Sequence, residues 1–386
     1  MWYLQTDTLG VLLAFALLWA LGAYVLRKAR PQARLTPFLA LGGLALLYMT
    51  AKRLVLFYLA YTLCSWGLVA LLRRLPKGRL RRVCFVGFSL LDILPLCWAR
   101  LGPGLGLPVP IAALVGFSYN MLKAIDALYF VYYTDRSVGL LPYANFLLFF
   151  PVFTGGPILR YRDFYRCYEK PVPLTAKGAE TAFRRMVRGL FKKLVVVTWL
   201  SLATGRLLAL EARFPVSLAL ALVSYALLYC DMSGYADMAI AVGGLCGITV
   251  AENFKKPWTA ASFTQLWRKW HVTLGDWIRE HIFVVVTGKK LNRYISALIA
   301  FGTMVTMALW YEFTLPSVIQ GAIMGALLAL ENLLGLSTVD KRRTRRGVYV
   351  LRCAVVTGLF AVNILFFTLP LDQLLRTLAG FVKFGR

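Results

Sequence analysis

The stretch LVLFYLAYTLCSWGLVALL, Leu54–Leu72, carries no charged residue over nearly the roughly 20 residues that a helix needs to cross a bilayer. Comparable apolar blocks recur on both sides of it: Leu9–Leu26, Thr36–Thr50, Val83–Trp98, Leu107–Tyr133, Gly139–Ile158, Leu190–Leu210, Val216–Tyr229, Met238–Val250, Tyr294–Leu315, Val318–Leu334 and Val348–Leu369. They are continuous blocks and not short amphipathic stripes, and the 386 residues are 59% hydrophobic and only 16% charged. An ordinary soluble fold is excluded. The pattern predicts an all-α, polytopic transmembrane helical bundle of about ten spans, allowing for merged, short and re-entrant segments. No internal repeat and no Gly/Ser- or Pro-rich linker interrupts it, so residues 1–386 read as one membrane domain.

Lysine and arginine number 44 against 17 aspartate and glutamate, a net charge of +27. In a multi-pass protein of the cell membrane such an excess reports topology, because basic residues collect in cytoplasmic loops, and it does not point to nucleic acid. The clusters are Arg27–Arg34, Arg73–Arg82, Arg160–Lys193, Lys255–Arg293 and Lys341–Arg346. Facing the cytosol, they would attract anionic membrane lipids or an acidic soluble partner. The amino end, MWYLQTDTLG, lacks the basic region and small-residue cleavage site of a secretory signal, so the first span is expected to stay as an anchor. The seven cysteines are scattered without a C-x-x-C pair, which suggests small buried hydrophobes and neither a disulfide framework nor a metal site.

Three segments carry polar residues at a density that lipid-facing helices avoid. The only two histidines, His271 and His281, lie in SFTQLWRKWHVTLGDWIREHIF, Ser262–Phe283. Read as one helix, this segment places Trp267, His271 and Gly275 on one face and Trp270, Leu274 and Ile278 on the adjacent stripe. By spacing alone, a histidine among aromatics is more often a hydrogen-bonded structural residue than a base. Arg268, Lys269, Asp276, Arg279 and Glu280 would each be costly in hydrocarbon, so the segment is expected to line an internal cavity. His281 faces elsewhere and reads as structural.

The second segment is YCDMSGYADMAIAVGGLCGI, Tyr229–Ile248, where Asp231, Ser233 and Asp237 interrupt an apolar run beside close-approach glycines. These carboxylates either pair with Arg or Lys or serve a ligand path, and both readings put them in the interior. In the third, FPVFTGGPILRYRDF, Phe150–Phe164, a Gly-Gly-Pro break precedes Arg160, Arg162 and Asp163. It reads as a boundary turn or as the mouth of a cavity for an anionic ligand such as a phosphopantetheine arm.

In this order and spacing, and with the second segment extended through TVAENFKKPW, the chain resembles the membrane-bound O-acyltransferase family. The resemblance is to its teichoic-acid D-alanyl-transfer and alginate-acetylation members, and it is dense from Phe150 to Phe283. GFSYNMLKAID, Gly116–Asp126, NFLLFFP, Asn145–Pro151, and the short length look more like the D-alanyl-transfer branch. The resemblance implies a ring of about ten or more helices around a tunnel. There an acyl thioester donor, a phosphopantetheine carrier protein or acyl-CoA on the cytosolic side, meets a hydroxyl acceptor of the cell envelope. It further implies an extracytoplasmic envelope partner protein, with no bound cofactor, metal or nucleic acid.

His271 matches the family's upstream histidine, a general base suited to neutral pH. Trp267, Trp270, Asp231, Ser233, Asp237, Asn253, Arg160 and Trp310 fall on the implied tunnel. The family's other histidine lies in a Leu-Trp-His-Gly type motif on a later span. Here MVTMALWYEFTLP puts Tyr311 in its place, and no histidine follows His281. Tyrosine is a poor base at pH 7 but can donate a hydrogen bond to a carbonyl or oxyanion. Glu312, if buried, is a substitute base. The leading expectation is therefore an O-acyltransferase moving a D-alanyl or acetyl group, with His271 and Tyr311 catalytic. The alternative is a catalytically reduced relative serving as conduit or scaffold for a partner enzyme. A transporter fits hydropathy but not the three motifs in series.

Overall fold

The computed structural model describes residues 18–19, 21–22, 25, 36–102, 106, 116–283 and 292–383. The Arg27–Arg34 cluster, nearly all of the Leu9–Leu26 segment and residues 107–115 of the Leu107–Tyr133 segment lie outside them, as do residues 284–291 of the Lys255–Arg293 cluster. Among the described residues, regular structure is helical throughout and includes no strand. Six of the described helices are long and apolar enough to cross a membrane: Arg53–Arg74, Arg79–Leu101, Phe214–Leu245, Arg293–Tyr311, Leu315–Leu334 and Arg346–Thr368. Six counts the described residues alone, and the shorter apolar helix Thr36–Met49 stands beside them. Two expected segments merge into the single helix Phe214–Leu245, and Gly139–Ile158 and Leu190–Leu210 are each interrupted.

The chain packs into two compact units, Met1–Val187 with Ala236–Ala251, and Arg188–Tyr235 with Glu252–Arg386. The first contains α1 (Leu39–Ala51), α2 (Arg53–Arg74), α3 (Arg79–Leu101), α4 (Phe117–Thr134), α5 (Leu140–Leu147), α6 (Tyr161–Glu169) and α7 (Ala176–Leu190) as far as Val187. Helix α4 is its core, with Asn120, Lys123 and Asp126 buried among apolar neighbours. Their partners explain why polar residues stand there. After α5 the chain runs through a short 3₁₀ turn, Phe150–Val152, and the Gly-Gly-Pro break. Backbone left unpaired inside a membrane protein must find donors and acceptors within the protein. Lys123 Nζ donates to the Leu147 carbonyl at 2.7 Å, and Asn120 Nδ2 donates to Phe153 O at 3.1 Å. Asn145 accepts from Ala40 N at 2.7 Å and donates to Pro37 O and Leu141 O. Gly116, at φ 72°, presses against this break, where a Cβ would collide with Phe153 O.

In the second unit, a π-helical turn, Phe191–Val196, leads into α8 (Val197–Ala209) and then α9 (Phe214–Leu245), whose residues to Tyr235 belong here. Next come the short helices α10 (Phe263–Trp267) and α11 (Val272–Ile278), then α12 (Arg293–Tyr311), α13 (Leu315–Leu334), α14 (Arg346–Thr368) and α15 (Leu371–Gly380). Helices α12 and α13 form a hairpin that closes on small residues, the geometry by which membrane helices gain dispersion contact without a hydrophobic drive. A Cβ at Gly321 would sit 2.7 Å from Met304 O, and one at Gly325 would sit 2.9 Å from Phe301 O.

Candidate active site

The segment Ser262–Phe283 is not the continuous helix that periodicity predicts. It breaks after Trp267, passes through His271 in the left-handed region (φ 46°, ψ 50°), and resumes as α11 before a π-helical turn, Arg279–Phe283. The break is tertiary in origin, since Arg268-Lys269-Trp270 contains no helix breaker. The Lys269 carbonyl accepts from Lys255 N at 2.9 Å, and Val272 N donates to Asn253 O at 2.9 Å. The neighbouring 253–255 strip thus takes over backbone groups that a helix would satisfy internally. Asn253 Oδ1 also accepts from Thr273 N at 3.2 Å and Thr273 Oγ1 at 2.8 Å, capping the start of α11.

The first short helix is held as firmly. Ser262 Oγ, as the N-cap, accepts from Gln265 N, while Gln265 Oε1 reaches back past the cap to accept from Ala261 N. The Glu331 carboxylate accepts from Phe263 N at 2.7 Å and from Thr264 N at 2.9 Å. Tyr349 and Arg352 of α14 donate to the Thr259 and Ala261 carbonyls.

The result is a cavity of about 60 Å³ within the second unit. His271 and Tyr311 both line it, with Trp267, Trp270, Gln320 and a set of methionines, Met232, Met304, Met307 and Met324. Among the described residues, no acidic, lysine or arginine side chain lines it. Trp267 Nε1 is buried without a hydrogen-bond partner, and its indole carries a donor only. His271 is 2% exposed, and burial pushes its imidazole down to about 4, so the ring is uncharged at neutral pH. Tyr311 ends α12, its ring edge-on to Phe367 at 5.0 Å.

The structure separates the remaining sequence candidates. Trp310 stands outside the cavity lining and packs edge-on against Tyr311. Asp231 pairs with the fully buried Lys193, and Ser233 accepts from Lys192 Nζ at 3.2 Å. Asp237, in the first unit, pairs with Arg185 at 3.0 Å. Arg160 pairs there with Asp126 at 2.8 Å, and Tyr161 N donates to the same carboxylate at 2.6 Å. Asn253 is a cap and not a cavity wall. Glu312 is exposed, so the condition for its acting as a base is not met. His281 stacks on Trp277 with centroids 4.2 Å apart and its Nδ1 2.9 Å from Trp277 O, a structural role. Among the described residues no group of three or more His, Cys, Asp and Glu side chains is placed to hold a metal.

Sequence reasoning missed Gln320, the methionines and Glu331. Glu331 did give a signal, as the one acidic residue of the Val318–Leu334 block. The methionines gave none, because a cavity wall and a lipid-facing surface draw on the same apolar residues.

The described residues define a multi-pass helical membrane protein with a buried histidine bordering an internal cavity. The model of the MBOAT, membrane-bound O-acyltransferase family, matches residues 44–369, and the chain belongs to that family. Among its relatives is the "Probable alginate O-acetylase AlgI" of Pseudomonas putida, 32% identical over 231 residues, which are 59% of this chain and 47% of the relative. The "Teichoic acid D-alanyltransferase" of Streptococcus thermophilus is 26% identical over 350 residues, 85% of this chain and 82% of the relative. The "Peptidoglycan O-acetyltransferase" of Helicobacter pylori is 28% identical over 171 residues, 40% of this chain and 30% of the relative. This chain therefore spans about half the length of the alginate relatives it matches.

Proposed function

We propose that the protein is an O-acyltransferase moving a short acyl group from a thioester donor to a hydroxyl of a cell-envelope polymer or intermediate. The observation that carries this is the meeting of His271 and Tyr311 on one mostly apolar cavity. The uncharged imidazole of His271 takes the acceptor hydroxyl's proton as the oxygen attacks the thioester carbonyl. Tyr311 donates a hydrogen bond to the carbonyl oxygen as negative charge develops there. The tetrahedral intermediate then collapses, the C–S bond breaks, and the departing thiolate takes the proton back from the imidazolium.

Among the described residues the lining holds no carboxylate to meet the ammonium of a D-alanyl group, so acetyl and D-alanyl both remain candidate acyl groups and acetyl needs no counter-charge there. The names of the relatives support the same class of acceptor, since they act on alginate, teichoic acid and peptidoglycan. The donor is a carrier-protein or coenzyme A thioester reaching the cavity from the cytosolic side, and an envelope protein supplies or receives the acceptor.

Tyr311 in the histidine's place favours a second reading, a conduit or scaffold that presents donor or acceptor to a partner enzyme. Two substitutions separate the readings in cells. His271→Ala is expected to eliminate envelope acylation at normal membrane levels, since loss of a general base costs about 10²–10⁴ in rate. Tyr311→Phe is expected to lower it by about 10²–10³ or less, as for a single lost oxyanion donor. Retained acylation in His271→Ala assigns the residue to packing. No turnover by purified wild-type protein with any thioester donor favours the conduit.

A further inference from the structure

Glu331 occupies the last turn of α13, where the aligned peptide dipoles leave partial negative charge and an acidic side chain is disfavoured. Its carboxylate is turned to the start of another helix. Oε1 accepts from Phe263 N at 2.7 Å, and Oε2 accepts from Thr264 N at 2.9 Å and Thr264 Oγ1 at 3.0 Å. These backbone donors belong to the first turn of α10, where no intrahelical acceptor exists and the dipole favours an anion. Helix α10 has five residues, too few to hold its own orientation, and it ends four residues before His271. The same α13 contributes Gln320, Gly321 and Met324 to the cavity. One helix thus forms a wall of the cavity and clamps the segment that brings Trp267, Trp270 and His271 to it.

We propose that Glu331 is a positioning residue that locks the α10 to His271 segment onto α13 and so fixes the imidazole at the cavity. Its catalytic consequence rests on the assignment of His271 as base, whereas the positioning itself does not.

The test uses the full chain in detergent or nanodiscs and reads carbethoxylation of each histidine by diethyl pyrocarbonate with peptide mass mapping. The rate of His271 modification in the wild type, where the ring is 2% exposed, sets the reference. Glu331→Gln removes the charge and turns an amide N–H toward backbone N–H groups. It is expected to raise His271 modification at least about tenfold, a local opening worth about 1.4 kcal/mol, without an equal rise at His281. Glu331→Asp, which keeps the carboxylate on a shorter stem, should restore part of the protection. Unchanged protection in both Glu331→Gln and Glu331→Ala overturns the proposal, and so does an equal rise at both histidines, which would mean general loosening. Should Glu331→Gln fail to reach the membrane, Glu331→Asp, which alters all three bonds, takes its place, and unchanged protection there overturns the proposal. Envelope acylation in the same cells separates the two ideas. An opened His271 in Glu331→Gln together with normal acylation in His271→Ala keeps the clamp and removes the base.

Discussion

The polar centre of the first unit and the histidine segment of the second both bury ionisable groups, but they commit them differently. In the first, the Nζ of Lys123 is spent on a carbonyl freed by the broken stretch. The Asp126 carboxylate is divided between Arg160 and the amide of Tyr161. These groups hold irregular backbone where water cannot. In the second, the bonds that fix the segment come from its surroundings, Lys255, Asn253 and Glu331, while the His271 ring borders a cavity. A buried charge whose donors and acceptors close on backbone marks architecture. A buried ring held by its neighbours at the edge of a cavity marks a place for chemistry.

The contrast breaks most readily at Arg160. Its removal leaves the Asp126 carboxylate buried without its cation, a loss of about 3–5 kcal/mol. Arg160→Ala is therefore expected to fall in folded membrane content, measured as the monodisperse fraction after extraction. Arg160→Ala protein that is stable yet inactive would return Arg160 to the substrate path.

A smaller effect concerns pH. With His271 at about 4 in the folded chain against 6.5 for a free imidazole, the unfolded state binds the proton more tightly. Its contribution is constant above pH 6.5, and stability falls as pH drops from 6.5 toward 4, by about 3 kcal/mol over the whole window. His271→Gln should flatten the melting temperature across that window, and an unchanged slope would show the ring to be solvated in both states.

The smallest effect sharpens the backbone side of the comparison. A residue at φ 46° costs roughly 1–2 kcal/mol unless it is glycine. His271→Gly should therefore be more stable than His271→Ala by about 1 kcal/mol in denaturant titration, while both lack the imidazole. Equal stabilities would mean that the 268–271 turn relaxes once the ring is gone.

Much of this protein was decided within its linear sequence. Uncharged blocks such as Leu54–Leu72 specify membrane helices because burial of apolar surface depends on composition over one span. The placement of Trp267, Trp270 and His271 on one cavity was also legible, although through a helix that proved to be broken. The alternative in which Asp231 and Asp237 pair with basic residues was legible too, but not with which ones.

Tertiary structure alone decided the rest. Lys193 with Asp231, Arg160 with Asp126 and Glu331 with Phe263 lie 38, 34 and 68 residues apart, and periodicity speaks only of neighbours three or four residues away. The turn at His271 exists because the 253–255 strip competes for backbone hydrogen bonds. The merged helix Phe214–Leu245 tolerates two carboxylates because cations from elsewhere in the chain meet them. Sequence sets which groups must be buried, and only the fold can say what satisfies them.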